Sequence, residues 1–313
     1  MTGANPASRI DFSAAPGPIN LEVQWIHGGR RGESQESPPI QVHAADPHTF
    51  ILRQSMTVHH EAPFLYLLFG NDRALLLDTG ATSDPDLFPL RETVDLIVDG
   101  WLAENPRDSY HLVVAHSHVH SDHIAADQQM DGRPDTTLIP AEVQAMASAF
   151  GLENWPEGNG RLDLGGRILE VLATPGHHPT SITVHDPWSG WLLTGDTVYP
   201  GRLFVSDPPA FATSLDRLVR FASEKEVTAM MGGHIEMTST SGRDYALGSR
   251  YQPDEPPLQM TLDQLMAVDV AFDTVIERRG IHHFDDFIIF NSPRPWQLLP
   301  QILRSVLNRA LGG

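Results

Sequence analysis

The sequence predicts an α/β protein built as an αββα sandwich, two mixed sheets pressed between helix layers. Three observations predict it. Short apolar runs give way to a helical segment twice, at 64–77 then 90–104 and again at 161–194 then 214–224. The runs are of strand length and are bounded by Gly, Pro, Asn and Asp turn signals. Several of them stop on an Asp or a His, which places candidate metal ligands along one open edge of the sheets.

In chain order, residues 1–20 are rich in Pro, Ala and Gly and read as a flexible N-terminal arm. A single domain is expected over 21–313, with a C-terminal extension from about 251. Leu21–His27, Thr49–Gln54, Phe64–Gly70 and Ala74–Leu77 read as strands. Leu90–Glu104 carries Val94, Ile97, Val98, Trp101 and Leu102 at helical spacing, so one face should lie on a sheet. Ala141–Phe150 and Ser214–Glu224 are further helices. Arg161–Ala173 and Ser181–Thr194 read as hairpins, the second turning at Asp186-Pro187-Trp188-Ser189-Gly190. The Pro-rich span Tyr251–Leu258 reads as a surface loop, Phe287–Phe290 as a late strand, and Thr261–Arg279 and Pro295–Leu311 as amphipathic helices.

The densest chemistry lies in His118-Val119-His120-Ser121-Asp122-His123, which follows the apolar run Leu112–Ala115. A buried strand delivering a loop explains this order. Two imidazoles at i and i+2 on extended backbone point the same way and can share an ion. Asp122 and His123, past the turn, can face a second ion. Four other apolar runs end comparably, on Asp78-Thr79-Gly80, on Pro175-Gly176-His177, on Gly195-Asp196 and on Gly232-Gly233-His234. Glycine beside each terminus allows close backbone approach to an ion.

In this order the motifs resemble those of the metallo-β-lactamase-fold superfamily, over roughly Phe64 to Thr238, and the hydrolases of lactonase or glyoxalase II type in particular. The resemblance implies that His118, His120 and His177 hold a first metal. It implies that Asp122, His123 and His234 hold a second, with Asp196 bridging and Asp78 orienting a ligand. Members that use a Cys ligand are excluded, since the chain has no Cys. Flavodiiron proteins of the fold carry a Glu where His120 stands and add a flavodoxin domain absent here. Tyr199 lies three residues past Asp196, the offset at which the quorum-quenching lactonases carry a Tyr that hydrogen-bonds the substrate carbonyl. His60, in the His59-His60-Glu61 segment, together with His178 and His283, is carried as a substrate contact.

Composition bounds the partners. A net charge of −19 with no basic run argues against a polyanionic partner, nucleic acid first. The short stretch Gly28-Gly29-Arg30-Arg31 is flanked by Glu33 and Glu36 and reads as a solvated loop. Hydrophobic content of 41% with a mean hydropathy of −0.22 fits a soluble chain, and no apolar run approaches a membrane span. The N-terminus lacks a basic region followed by an apolar core, so no signal peptide and a cytoplasmic location are expected. Homo-oligomerisation is left open.

The expected reaction follows from paired metals. Two Zn²⁺ ions share a hydroxide, because a bound ion lowers the pKa of water from roughly 15.7 to about 7. That hydroxide attacks a lactone, ester, thioester or amide carbonyl. Asp122 passes the proton to the leaving group, and Tyr199 helps a zinc hold the oxyanion. Fe or Mn would suit the same ligands. A mononuclear iron dioxygenase similar to the persulfide dioxygenases is the alternative, weakened by a complete second ligand set. A phosphodiesterase is disfavoured by charge, and a non-catalytic binding module by the cost of burying unused ligands.

Overall fold

Residues 9–14, 16–30 and 37–310 are described by the structure, a computed structural model. The first sheet keeps chain order: β1 (Ile40–Asp46), β2 (Thr49–Gln54), β3 (Phe64–Phe69), β4 (Arg73–Leu77), β5 (His111–Ala115) and β6 (Thr136–Leu138). Helix α1 (Leu90–Glu104) supplies the crossover that makes β4 and β5 parallel. Short helices α2 (Ser121–Ile124) and α3 (Asp127–Met130) precede β6, and α4 (Val143–Phe150) follows it.

Two hairpins begin the second sheet, β7 (Gly160–Asp163) with β8 (Ile168–Ala173) and β9 (Ile182–Asp186) with β10 (Trp191–Gly195). Strand β11 (Arg202–Val205) leaves that sheet, and α5 (Pro208–Glu224) leads back to β12 (Ala229–Gly232) and β13 (Gln259–Met260). The finished order is β13-β12-β10-β9-β8-β7. After α6 (Leu262–Val275), β14 (Gly280–His283) and β15 (Ile288–Asn291) join β11 in a third sheet of order β11-β15-β14. Helix α7 (Leu299–Ala310) follows.

The burial of whole strands follows from the layering. All six residues of β3 are buried, yet they serve two cores. Phe64, Tyr66 and Leu68 face the second sheet and meet Val171, Val184 and Leu193. Leu65, Leu67 and Phe69 face outward and meet Leu90, Val94 and Val98 of α1. The period-2 alternation survives, but both faces are covered, so the sequence shows a continuous apolar run. On the second sheet, Leu192 and Met230 turn outward beneath Phe211 and Leu215 of α5 and Phe272 of α6. The αββα sandwich expected from the sequence is therefore the architecture, with the third sheet as an addition.

Several boundaries differ from expectation. Leu21–His27 forms no ladder; the Gln41 side chain instead accepts from Ile26 N at 2.7 Å and donates to Gln24 O at 3.0 Å. The strand beside β2 is β1, which the sequence reading did not identify. Helix α5 begins earlier than expected, because the Asp207 side chain caps Ala210 N and prolines occupy its first turn. Within the N-terminal stretch, Ile10 N donates to Asn71 Oδ1 at 2.8 Å, and Phe12 is buried with its ring edge against Trp188. Residues 1–8 and 15 of the expected arm, Arg31, Glu33 and Glu36 of the basic-loop reading, and Leu311 lie outside the described residues. No described helix is long and apolar enough to cross a membrane.

Candidate metal centre

Strand direction decides where the ligands gather. β4 and β5 are parallel, and so are β10 and β12; β8, antiparallel to β9, runs with β10. Their C-terminal ends are followed by Asp78, by the 118–123 cluster, by Asp196, by His234 and by His177. Ligands in α/β sheets collect beyond the carboxyl ends of strands, and here one rim collects them all.

Two groups of donor atoms result. The first is His118, His120 and His177; the second is Asp122, His123, Asp196 and His234. In the first, His118 Nε2 lies 2.9 Å from His120 Nδ1, and His177 Nε2 lies 3.2 Å from His118 Nε2 and 3.0 Å from His120 Nδ1. In the second, His234 Nε2 is 3.3 Å from both His123 Nε2 and Asp122 Oδ2, and Asp196 Oδ1 is 3.5 Å from His123 Nε2 and 3.6 Å from His234 Nε2. A tetrahedral zinc with bonds near 2.0–2.1 Å would separate its donors by about 3.3 Å, so both groups fit such an ion. Asp196 Oδ1 is buried and makes no hydrogen bond among the described residues, as expected of an oxygen reserved for a cation.

Supporting contacts fix which nitrogen each imidazole offers. The His123 Nδ1 atom lies 2.9 Å from Asp78 Oδ2, while Ser117 N donates to Asp78 Oδ1 at 2.7 Å. His177 Nδ1 lies 2.8 Å from Phe204 O, and His234 Nδ1 lies 2.9 Å from Glu61 O. Each of these three rings is thereby set to donate through Nδ1 and to present Nε2 to the metal. Glycine makes the crowding feasible. A Cβ on Gly195, which has φ +49°, would stand 2.7 Å from Ser117 Cβ, and one on Gly233 would stand 2.6 Å from Asp196 Oδ1.

Electrostatics separates the groups. Burial holds the His118 imidazole well below its ordinary range and pushes His177 down to about 4, so both are neutral at pH 7, as a metal ligand must be. For His234, burial opposes the charged form, but the Asp196 and Asp122 carboxylates outweigh it and raise the ring to about 10. Burial would likewise push the Asp196 carboxyl up, yet the His234 and His123 charges hold it well below the usual range. Asp122, also opposed by burial, is held down by its contact with His234 and by the His123 charge.

The other expected site residues fall differently. A cavity of about 560 Å³ over the ligands is lined by His59 and Glu61, and His60 is not among its lining residues; the His60 ring stacks on His59 and lies 3.0 Å from Glu61 Oε1. His178 sits beside His120, ring centroids 4.9 Å apart, with Nδ1 2.9 Å from Thr180 Oγ1. His283 is exposed at the end of the outer strand β14 and does not line the cavity. Tyr199 does line it, but its hydroxyl donates to Arg202 O at 2.5 Å and lies 3.0 Å from Glu236 Oε2. The Tyr199 hydroxyl is thus engaged by the main chain and Glu236. Phe204, Glu236 and Phe290 also line the cavity, and the sequence reading passed over them. Glu236 alone carried a signal, an acid two residues past a ligand in an apolar stretch.

Comparison with known proteins gives a concordant result. A family model described as the metallo-beta-lactamase superfamily matches residues 62–234. A hydroxyacylglutathione hydrolase of Mesorhizobium japonicum is 32% identical over 130 residues, covering 41% of this chain and 49% of that protein. One from Synechococcus sp. is 28% identical over 209 residues, 66% of this chain and 75% of that protein. An acyl-coenzyme A thioesterase of Gallus gallus is 33% identical over 94 residues, 29% of this chain and 34% of that protein. The chain spans about half the length of the first of these curated relatives. The crystal structure of a metallo-beta-lactamase exposed to ceftazidime aligns with TM-score 0.51 and 14% identity, over 77% of this chain and 100% of that one, a likeness of fold alone.

Proposed function

We infer function from one premise: this chain belongs to the metallo-beta-lactamase superfamily. We propose that it is a zinc-dependent hydrolase holding two ions per chain and acting on a small acyl substrate, whether lactone, ester, thioester or amide. The observation that carries this reading is the placement of Asp196. Its Oδ2 lies 3.9 Å from His118 Nε2 and 3.7 Å from His177 Nε2, while its Oδ1 faces His123 and His234. One carboxylate therefore addresses both donor groups. Imidazole and carboxylate donors without thiolate suit zinc, and the relatives named as thioester hydrolases support acyl transfer to water.

Paired divalent ions make water a competent nucleophile near neutral pH, lowering its pKa from roughly 15.7 to about 7, and polarise the carbonyl under attack. The chain's own residues do the rest. His118, His120 and His177 would hold one ion, and Asp122, His123 and His234 the other. Asp78 and the carbonyls of Glu61 and Phe204 keep the rings aimed. Asp122 lines the cavity and is partly exposed, so its carboxylate is placed to accept the water's proton and deliver it to the leaving group.

The test is elemental analysis of the purified protein together with a panel of lactones, thioesters and phosphodiesters. Two zinc ions per chain, with hydrolysis abolished by chelation and restored by zinc, is the expected outcome. Fully active protein with a single iron and oxygen-dependent turnover would replace this reading with a dioxygenase.

A further inference from the structure

The cavity above the ligands has an acidic side and an aromatic side. Glu61 lines it with its side chain 38% exposed, and that residue's carbonyl is the one His234 Nδ1 contacts. Phe204 lines it with 37% exposure, its ring 4.6 Å from that of Phe290, and its carbonyl is the one His177 Nδ1 contacts. Both side chains are thus fixed by backbone that also orients a ligand. Among the described lining residues there is no lysine or arginine. Glu236 lines the cavity as well, but buried Arg202 pairs with both its oxygens, one through the guanidinium and the other through the backbone N–H at 2.7 Å. Arg202 is in turn held by Asp244 at 3.1 Å and has no charge to spare for a substrate. Glu61, its Oε1 3.0 Å from His60 Nε2, faces the opening together with the partly exposed Asp122, in a chain of net charge −19.

We propose that this site selects acyl compounds with an uncharged leaving group and a hydrophobic acyl part seated on the Phe204–Phe290 pair, and that Glu61 discriminates against anionic thiol carriers. The inference rests on the hydrolase reading above. A glutathione thioester brings two carboxylates against one ammonium, and a coenzyme A thioester several phosphate charges. A leaving group must pass the walls of the cavity, where that net negative charge would meet Glu61 and find no lysine or arginine among the described lining residues, while the charge of bound zinc would be offset in part by Asp122 and Asp196. Like charges brought close at a partly buried site repel strongly, and the overall negative field lowers the local concentration of anions further.

The test uses the zinc-loaded full chain and matched thioesters of phenylacetate on N-acetylcysteamine, glutathione and coenzyme A. The uncharged thioester should exceed the other two in kcat/KM by about 10-fold or more at low salt. That gap should narrow as salt rises and should narrow in Glu61→Gln, whose zinc content is checked because its carbonyl still faces His234. Phe290→Ala should raise KM for the phenylacetyl thioester more than for the acetyl thioester on the same carrier. Equal or faster turnover of the glutathione or coenzyme A thioester, or a gap unchanged in Glu61→Gln, overturns the proposal. Inertness of the zinc-loaded protein toward every thioester, lactone and ester overturns the hydrolase reading, and this selectivity with it.

Discussion

The two donor groups of the centre are made of different materials. His118, His120 and His177 bring imidazole nitrogens alone, two of them kept neutral by burial. Asp122, His123, Asp196 and His234 mix two carboxylates with two rings pushed toward the charged form, His123 by Asp78 and Asp196 and His234 by Asp196 and Asp122. His118 and His177 are ready for a cation without shedding a proton, whereas His123 and His234 must exchange protons for one. Metal binding should therefore be coupled to pH chiefly through the second group, and Asp196 is the carboxylate whose two oxygens face the two groups.

Removing that carboxylate's charge is the most damaging change. Asp196→Asn should lower kcat/KM by at least about 10²-fold and reduce bound zinc below two equivalents while the fold persists. Near-wild-type turnover with two zinc ions would show that the groups work independently. Gly233→Ala attacks the same residue indirectly, since its Cβ would crowd Asp196 Oδ1 at 2.6 Å and His123 Cε1 at 3.0 Å. Metal affinity should fall about 10–100-fold, measured by competition with a chromophoric chelator, with less loss from the first group than from the second.

Acid and base should separate the groups in metal-free protein. His177 titrates near 4 when folded against an ordinary 6.5, so the unfolded chain binds the extra proton first and stability is lost as pH falls from 6.5 toward 4. His234 is the opposite case, with a folded value of about 10. Its contribution is complete below 6.5 and disappears as pH rises through 10. Thermal unfolding in chelator should show both limbs, each amounting to a few degrees or more, roughly 2–4 °C per kcal/mol for a chain of this size class. His234→Gln should shrink the alkaline limb, leaving the part that His123 contributes; an alkaline limb of unchanged size in this variant would contradict the assignment.

The smallest effect belongs to Tyr199→Phe. Because the hydroxyl is committed to Arg202 O, its loss should cost about 1 kcal/mol of stability. Removing an oxyanion donor typically costs about 10²–10³ in kcat, so a change below about 3-fold would set Tyr199 apart from that role. A fall of 10-fold or more with unchanged Tm would return the hydroxyl to the substrate carbonyl.

The two donor groups were legible in the sequence because each member stands just beyond an apolar run, and the fold turns that position into a shared rim. The helix Leu90–Glu104 was legible because one stripe of it is apolar. What stayed hidden depends on partners remote in the chain. Leu21–His27 looks like a strand, but ladder formation needs a neighbour, and the Gln41 side chain took that place. Phe204 and Phe290 become a wall only because β11 pairs with β15, a parallel match across more than eighty residues that no local pattern announces. Tyr199 was read from its offset to Asp196, and an offset cannot say where a hydroxyl points.

The carbonyls of Glu61 and Phe204 carry a consequence for how such a protein can change over generations. Main-chain oxygens at these positions steer His234 and His177, while the side chains on the same residues form the surface a substrate meets. Point substitutions can therefore rewrite the chemistry of the walls at no cost to ligand aim. An insertion or deletion in either segment shifts a carbonyl and disturbs a ligand together with the wall. Diversification of this centre should proceed by exchange of residues at fixed loop length, and libraries built that way should retain zinc far more often than libraries that vary loop length.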